Sequence, residues 1–466
     1  MGSFIGLSSL VSLDLSHNHL NVLPTGAFNF LKSLKFLSLA HNKINDLAMN
    51  LLRGPQKLHE LELDGNMLDP KQLNDMFSDI EHLERLDLNF CNFDDEKISR
   101  LKFVKLPNLK RLGLAENNLT NVPSKTIRSI PLLEAINLSH NKIRNLDACS
   151  FCGCNISQVF LAHNFLGVDK EAIHPEAFAD TKMTELDLSF NYLDQFDASM
   201  LAHAQQSLKV LHLSGNSFGG FLHRLTYNLP SLTHLHMAAN GLRTIPLNLP
   251  YEYRQLNFLN LSGNSLEDLP EDVFQLLPSM RVLDLSFNLF SSFTPSVFAS
   301  FIGQLEQVYL NDNPWDCRCA TQNLQHYMLQ RYSYHIQLNY DRTLCAKPQL
   351  LKNQPLHKVH YINDCAVLFG ATYGLTQTSE LVLLLAALVV TSLLIAFLIL
   401  ALLYCGKDRK YKGTYVTREH SRTRLTHPVD CGLSGTTSAM SEPLTCPSSP
   451  LPPAPPPPPG SMFVAF

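Results

Sequence analysis

One sequence pattern returns along more than half of the chain and constrains its fold more than any other feature. Apolar residues and an asparagine follow the order L-x-x-L-x-L-x-x-N-x-L, and the first copy runs from Leu10 to Leu20. The asparagine position recurs thirteen times, at residues 18, 42, 66, 91, 117, 141, 164, 191, 216, 240, 264, 288 and 313, with Cys91 as the departure. Spacings of 23 to 27 residues indicate a repeat architecture.

Each copy predicts one short strand followed by a turn. Its alternating leucines point to one face, and neighbouring copies must stack to bury that face. The asparagine amide has enough donors and acceptors to satisfy backbone groups that the turn leaves unpaired, and the small thiol of Cys91 can replace it. A second motif, Phe28-x-x-Leu31-x-x-Leu34, is predicted to fill the far side of the core.

The pattern resembles the leucine-rich repeat, and the resemblance covers residues 1–313. It implies an α/β solenoid, a horseshoe with a parallel sheet on its concave side, similar to the ectodomain of Toll-like receptors. Because Phe4-x-x-Leu7-x-x-Leu10 is already the back half of a repeat, we expect the N-terminal cap to be missing.

Four cysteines follow the last repeat, in a segment that spans residues 314–366. Four cysteines allow three disulfide pairings, and a zinc site is the alternative, although the outer side of a membrane favours bridges. The segment closely resembles the cysteine-rich C-terminal cap of extracellular leucine-rich-repeat proteins. That resemblance implies the bridges Cys317–Cys345 and Cys319–Cys365.

Two further features of the repeats fit an extracellular protein. Cysteines 149, 152 and 154 can form one disulfide, and the sequence leaves open which two pair and whether the third stays reduced. Four sequons predict N-glycosylation, at Asn118, Asn137, Asn155 and Asn260. Two of them, Asn137 and Asn260, lie between strand leucines, so a sugar there would stand on the concave face.

An uncharged apolar segment predicts a single transmembrane helix. Residues 381–404 are 24 residues without a charge, enough to cross about 30 Å of hydrocarbon. Basic residues follow at 407, 409, 410 and 412, whereas residues 359–380 contain no lysine or arginine. Residues 367–380 within this stretch are predicted to form a short stalk before the membrane. The positive-inside rule therefore places residues 405–466 in the cytoplasm and the repeats outside, as in a type I protein of the plasma membrane.

The cytoplasmic tail is predicted to be disordered and to bind scaffold proteins. Its membrane-proximal residues Lys412, Gly413, Thr414 and Tyr415 resemble the FERM-binding segment of glycophorin C and synaptic cell-adhesion molecules. Its last residues, with Val464 and Phe466, resemble a hydrophobic PDZ ligand. Between them, the proline-rich residues 443–459 predict an extended spacer, and Cys405 is a palmitoylation candidate. The alternative for the first motif is a basic stop-transfer run that meets anionic lipid.

Two groups of solvent-facing strand residues depart from the repeat consensus and predict a partner surface. The charged patch comprises Glu60, Glu62, Asp64, Arg85, Asp87 and Arg111. The aromatic patch comprises Phe160, His212, His234, His236, Phe258 and Tyr309. Arginine and aromatic residues commonly anchor protein interfaces, and the alternative is a solvated sheet face without a partner.

The sequence carries no hydrolase, kinase or phosphate-loop signature, so we expect neither an enzyme nor a cofactor. The net charge of −4 argues against nucleic acid as a partner. We expect an adhesion or receptor protein that binds an extracellular protein or a receptor on a neighbouring cell and links it to FERM and PDZ scaffolds. The alternative is an accessory or decoy receptor that presents or sequesters a secreted or innate-immune ligand.

Overall fold

The computed structural model describes most of the repeat region and parts of the segments that follow it. The described residues are 4–169, 172–196, 198–201, 203–219, 229–246, 251–270, 277–293, 297, 305–318, 324–325, 337–338, 340–361, 367–368, 388–389, 391–396 and 399–400. The chain divides into two compact units, one ending at Tyr373 and the other beginning at Gly374.

A parallel sheet of fourteen short strands runs through the first unit. The first thirteen strands, one per repeat and numbered here as repeats 1 to 13, are Ser12–Asp14, Phe36–Ser38, Glu60–Glu62, Arg85–Asp87, Arg111–Gly113, Ala135–Asn137, Gln158–Phe160, Glu185–Asp187, Val210–His212, His234–His236, Phe258–Asn260, Val282–Asp284 and Gln307–Tyr309. The fourteenth, Gln337–Leu338, comes from the segment after the repeats. The predicted solenoid with a parallel sheet is therefore confirmed.

The remaining described elements are short and flank this sheet in the sequence. The α-helices of the first unit are Pro70–Phe77, Asp95–Ser99 and Ser124–Arg128. The 3-10 helices are Phe103–Lys105, Ala198–Leu201, Tyr251–Gln255, Tyr340–Arg342, Gln349–Leu351 and Leu356–Lys358. The other strand pairs are Val22–Leu23 with Asp46–Leu47, Trp315–Asp316 with Cys345–Lys347, and His360–Tyr361 with Val367–Leu368.

The leucines of the repeat form one continuous core, as their spacing predicts. Phe28, Leu31 and Leu34 are fully buried, and aromatic rings of successive repeats stack in the same layer, as Phe151 and Phe178 do at 5.4 Å. Burying a leucine or phenylalanine side chain contributes about 1.5–3 kcal/mol, so stacking the repeats is the main source of stability. In repeat 1 the corresponding leucines are only partly buried.

A ladder of asparagines ties each repeat to its neighbour. In repeat 5, the Asn117 side-chain amide donates to the carbonyl oxygens of Leu88 and Leu114 at 2.9 and 3.0 Å. Its Oδ1 accepts the backbone N–H groups of Cys91 and Phe93 at 3.1 and 2.9 Å. One buried side chain thus satisfies backbone groups of two consecutive repeats, which confirms the predicted role of this position.

Cys91 takes the place of the asparagine in repeat 4. Its thiol donates to the carbonyl oxygens of Leu63 and Asn89 at 3.4 and 3.3 Å. Burial raises the pKa of this thiol to about 12, so it stays protonated and keeps its donor at neutral pH. Cysteine therefore supplies the donor function of the ladder with a single weak S–H group.

The residue before each ladder position adopts a left-handed backbone conformation in all thirteen repeats. Its φ lies between 52° and 69°. The residues are His17, His41, Gly65, Phe90, Glu116, His140, His163, Phe190, Gly215, Ala239, Gly263, Phe287 and Asp312. We call these thirteen positions the left-handed row. Only three of them are glycine, so the turn imposes this conformation on residues that do not favour it.

The segment after the repeats closes the core with a tryptophan and a disulfide. Trp315 is fully buried, and its indole N–H donates to the carbonyl oxygen of Leu310 at 2.9 Å. A disulfide joins Cys317 to Cys345, and both residues are buried. Its position matches the first of the two bridges implied by the resemblance, whereas Cys319 and Cys365 lie outside the described residues.

The second unit is described only at residues 388–389, 391–396 and 399–400, which are helical. Among all described residues, no helix has both the length and the apolar character needed to cross a bilayer. The rest of the predicted span 381–404 lies outside the described residues. So do the tail motifs at Lys412, Gly413, Thr414 and Tyr415, the terminal Val464 and Phe466, and Cys405.

Candidate protein-binding surface

The charged patch lies on three adjacent strands of the sheet, in repeats 3 to 5. Pairing places Glu60 beside Arg85, and Arg85 beside Arg111. Guanidinium nitrogens of Arg85 and Arg111 lie 3.9 and 3.8 Å from different oxygens of the Glu60 carboxylate. The side chains of Glu60 and Arg111 are 38% and 46% exposed, so the rim of this network is open to a partner.

Beneath the rim, the Arg85–Asp87 ion pair is almost completely buried. Arg85 Nε donates to Asp87 Oδ2 at 2.8 Å, and Asp87 is 2% exposed. A Cβ atom on Gly113 would lie 2.5 Å from Asp87 Oδ1, so this carboxylate occupies the space that a side chain at 113 would need. Among the described residues, Asp87 Oδ1 and Arg85 Nη2 are buried atoms without a hydrogen-bond partner.

Burial dominates the electrostatics of this site. It raises the pKa of Asp87 to about 7, with further increases from the charges of Asp64 and Glu62 and an opposing effect of Arg85. Burial also raises the pKa of Asp64, whose Oδ1 accepts the backbone N–H of Asn89 at 2.7 Å. The patch therefore holds carboxyl groups that are protonated far more readily than exposed ones.

The raised pKa of Asp87 predicts a pH-dependent stability. The folded state favours protonated Asp87, so this contribution is complete below about pH 4 and is lost as the pH rises through about 7. We expect Asp87→Asn to have little effect on Tm near pH 4 and to raise Tm relative to wild type at pH 7.5. Asparagine occupies the same strand position at Asn137 and Asn260. Melting curves of both proteins across this range test the prediction, and a Tm difference independent of pH would contradict it.

The aromatic patch is continuous over repeats 9 to 11. The rings of His212 and His236 stack at 4.2 Å, and those of His236 and Phe258 lie 4.6 Å apart. Burial lowers the pKa of His236 to about 3 and also lowers that of His234, so both are neutral at physiological pH. This part of the sheet thus presents stacked rings, among which the buried His236 imidazole carries no charge.

Two predicted members of the aromatic patch do not join this stack. Phe160 lies in repeat 7, and Asp187 of repeat 8 separates it from His212. Tyr309 lies in repeat 13, and Asp284 separates it from Asn260, the neighbour of His236. Each repeat contributes one residue to each position along the strand, so Phe160 and Tyr309 each lie two strands away from the nearest ring of the stack.

Sequence reasoning missed three features of this surface. Glu185 forms a cluster with His212 and His234, here called the histidine cluster. It lies 3.3 Å from His212 Nε2 and accepts a 2.8 Å bond from Gln158, and the bond to His212 lowers the pKa of Glu185. Gly113 makes room for Asp87, which only the pairing of two strands reveals. The left-handed row carries stacked rings, with His163 between His140 and Phe190 at 4.1 and 4.3 Å.

The sequons and the extra cysteines occupy distinct places in the repeats. Asn137 and Asn260 end their strands in the parallel sheet, and both are partly exposed. Asn118 follows a ladder position and is partly exposed, whereas Asn155 is exposed and lies before a strand.

A disulfide joins Cys149 to Cys152, and Cys154 is a buried free thiol.

Comparison with known proteins supports the assignment of the repeats. A family model described as Leucine rich repeat matches residues 2–68, 107–166, 171–242 and 254–314. Osteomodulin of Bos taurus is 28% identical over 217 residues, which are 46% of this chain and 47% of that protein. Transforming growth factor beta activator LRRC33 of Danio rerio is 27% identical over 220 residues, 44% of this chain and 27% of that protein.

A solved structure agrees at the level of the fold. The mouse RP105/MD-1 complex contains a chain that superposes with a TM-score of 0.61 at 23% identity, covering 76% of this chain and 58% of that chain. The chain spans about half the length of Osteomodulin and a smaller share of LRRC33. Since the family model matches more than half of its residues, the chain belongs to the leucine-rich-repeat family.

Proposed function

We propose that the chain is a cell-surface receptor that binds an extracellular protein through the charged patch. The observation that carries this proposal is the partly exposed network of Glu60, Arg85 and Arg111 above the buried carboxyl group of Asp87. The contact of 3.8 Å between Arg111 and Glu60 is longer than a hydrogen bond, and the Arg111 side chain is 46% exposed, so its guanidinium group is able to bond a partner directly. Arginines in such settings anchor interfaces, and the mixed charge selects a complementary partner.

Reversing two charges of the patch should remove partner binding. The change is Glu62→Lys with Arg111→Glu, tested in the full chain displayed on cells and fused to an extracellular peroxidase that labels its neighbours. We expect labelling of the extracellular partners to fall at least about tenfold, equivalent to about 1.4 kcal/mol. The matched control reverses the exposed Arg281–Glu306 ion pair in repeats 12 and 13 and should leave labelling intact. Equal labelling by the two double variants would contradict the proposed site.

We further propose the domain order implied by the sequence. Residues 1–313 form the repeats and 314–366 the cap; 367–380 form a stalk, 381–404 a single transmembrane helix, and 405–466 a cytoplasmic tail. The uncharged segment followed by basic residues supports a type I orientation. In this arrangement the tail links the bound partner to FERM and PDZ scaffolds, and Cys405 is placed for palmitoylation at the inner membrane face.

Tail peptides should bind their two domains independently. We expect a peptide of residues 405–425 to bind a band-4.1-type FERM domain and a peptide of residues 457–466 to bind a PDZ domain, each with a Kd near or below about 100 μM, roughly −5.5 kcal/mol. Tyr415→Ala should abolish only the first interaction, because the ring is the main buried group. Deletion of Phe466 should abolish only the second, because it removes the terminal side chain. Failure of both intact peptides would overturn the scaffold role.

A second function is favoured by one comparison. One relative bears the name Transforming growth factor beta activator, which fits an accessory receptor that presents a secreted ligand. Under this alternative, the full chain on cells binds transforming growth factor beta, used as the probe, and deletion of residues 413–466 leaves that binding unchanged. No binding of the probe at micromolar concentration would exclude this ligand.

A further inference from the structure

We infer that N-linked glycans on Asn137 and Asn260 cover the aromatic side of the concave sheet, so that the chain's own sugars occupy this surface and a protein partner is confined to the charged patch. The inference rests on the proposed extracellular location of the repeats. It assigns a function to two of the four sequons from their place in the sheet.

The turn after the strand uses only one atom of each asparagine amide. Oδ1 of Asn137 accepts the backbone N–H of Ser139 at 3.0 Å, and Oδ1 of Asn260 accepts that of Ser262 at 2.9 Å. Aspartates at the same position make the same bond, at 2.8 to 2.9 Å, in repeats 1, 8 and 12. Since an aspartate has no amide nitrogen, this turn does not need Nδ2, which is the atom that glycosylation substitutes.

The neighbouring strands provide room and rings for a sugar. Asn137 lies between Gly113, which has no side chain, and Phe160. Asn260 lies beside His236, whose ring packs against Phe258. An aromatic face can pack against the apolar C–H face of a pyranose ring, so the first sugars on Asn260 would remove part of the His236 and Phe258 rings from water, whereas Phe160 beside Asn137 is only 9% exposed.

The two sites bracket the aromatic patch except for Tyr309, which lies two strands beyond Asn260. Five strand steps separate repeat 6 from repeat 11, and at about 4.8 Å per step the two asparagines are roughly 24 Å apart. The stacked rings of His212 and His236 lie within this interval. Glycans are bulky, so two of them over this interval exclude a protein surface. The charged patch begins at Arg111, one strand from Asn137, and extends away from the bracketed region, so that Glu60 at its far end lies three strands from the nearer glycan.

Two pairs of substitutions remove these glycans and keep the backbone bonds of the turn, although one of them, Ser262→Ala, loses the 2.7 Å bond that the Ser262 hydroxyl donates to Asn260 Oδ1. Asn137→Asp with Asn260→Asp keeps the Oδ1 acceptor, as in the aspartate repeats. Ser139→Ala with Ser262→Ala keeps both asparagines but destroys the sequons, and alanine occupies this position in repeats 2, 5, 7 and 10. Both double variants should therefore melt within a few degrees of the wild-type chain. Asn155→Asp is the control, because this exposed sequon lies outside the strands.

The test combines glycopeptide mass spectrometry with hydroxyl-radical footprinting of the full chain produced in mammalian cells. We expect sugars on Asn137 and Asn260, and an increase of at least threefold in oxidation of His212, His236 and Phe258 in both double variants but not in Asn155→Asp. Occupied Asn155 with bare Asn137 and Asn260 would overturn this inference and leave the proposed function standing. Sequons that are bare throughout would overturn the extracellular location as well. Equal oxidation with and without the two glycans would overturn the shielding.

Discussion

Replacement of Asn117 by alanine is expected to destabilise the repeats around it by about 2–6 kcal/mol. The change leaves the buried backbone N–H groups of Cys91 and Phe93 without the Oδ1 acceptor. An unsatisfied buried donor costs about 1–3 kcal/mol, and the carbonyl groups that face the amide lose their donors as well. Because each repeat contacts only its neighbours, the loss should first appear as faster hydrogen exchange in repeats 4 to 6.

A matched variant separates the lost hydrogen bonds from the lost volume. Asn117→Cys places at this position the residue that Cys91 already provides in repeat 4, with a thiol donor and no strong acceptor. We expect its unfolding free energy to lie between those of the wild type and Asn117→Ala. If Asn117→Ala unfolds at the same denaturant concentration as the wild type, the ladder does not have the energetic role assigned to it.

Removal of the Cys317–Cys345 disulfide is expected to cost about 2–5 kcal/mol. This bridge joins residues 28 apart and ties the strand Trp315–Asp316 to the strand Cys345–Lys347, where both cysteines are buried. The double substitution Cys317→Ser and Cys345→Ser opens the end of the core next to Trp315. We expect a lower Tm and retention of most of the protein inside the cell, measured by flow cytometry of an N-terminal tag.

The second bridge provides the control for this experiment. Cys149 and Cys152 are only three residues apart, so their disulfide closes a very short loop and restricts the unfolded chain far less. Cys149→Ser with Cys152→Ser should therefore reduce Tm and surface delivery much less than loss of the Cys317–Cys345 bridge. Equal losses of Tm and of surface delivery in the two double variants would show that the bridge at the end of the solenoid stabilises the chain no more than a short-loop disulfide does.

The regular part of the fold is predictable because each repeat specifies itself. Leu61 and Leu86 are buried since alternation within a strand determines which side chains point inward, and this needs no knowledge of distant residues. The buried Asp87 is different, because its place depends on the missing side chain of Gly113 in the next strand. Glu185 could not be assigned to the histidine cluster for the same reason: its bond to His212 runs between two repeats.

The repeat pattern also does not predict the helices that follow some of the strands. Pro70–Phe77 begins after Asp69, whose side chain accepts the backbone N–H of Lys71 at 3.0 Å. This cap is readable in the sequence, since aspartate before proline is a common start of a helix. Repeats 1 and 2 run through turns at the equivalent place, although they carry the same leucine pattern in their strands. The repeat pattern therefore specifies the concave side in detail and leaves the convex side to local residues.

The left-handed row has a consequence for how this family of folds can change. Ten of its thirteen residues are not glycine, and each accepts a backbone conformation that costs an ordinary residue about 1–2 kcal/mol. The ladder residue that follows makes the buried hydrogen bonds of the turn, so the residue in the left-handed conformation is not part of the core. Its side chain can be aromatic, charged or a single methyl group. Side chains of the left-handed row can therefore be exchanged all along the sheet, next to the ends of its strands. Such exchanges can change what this surface binds without any repacking of the leucines.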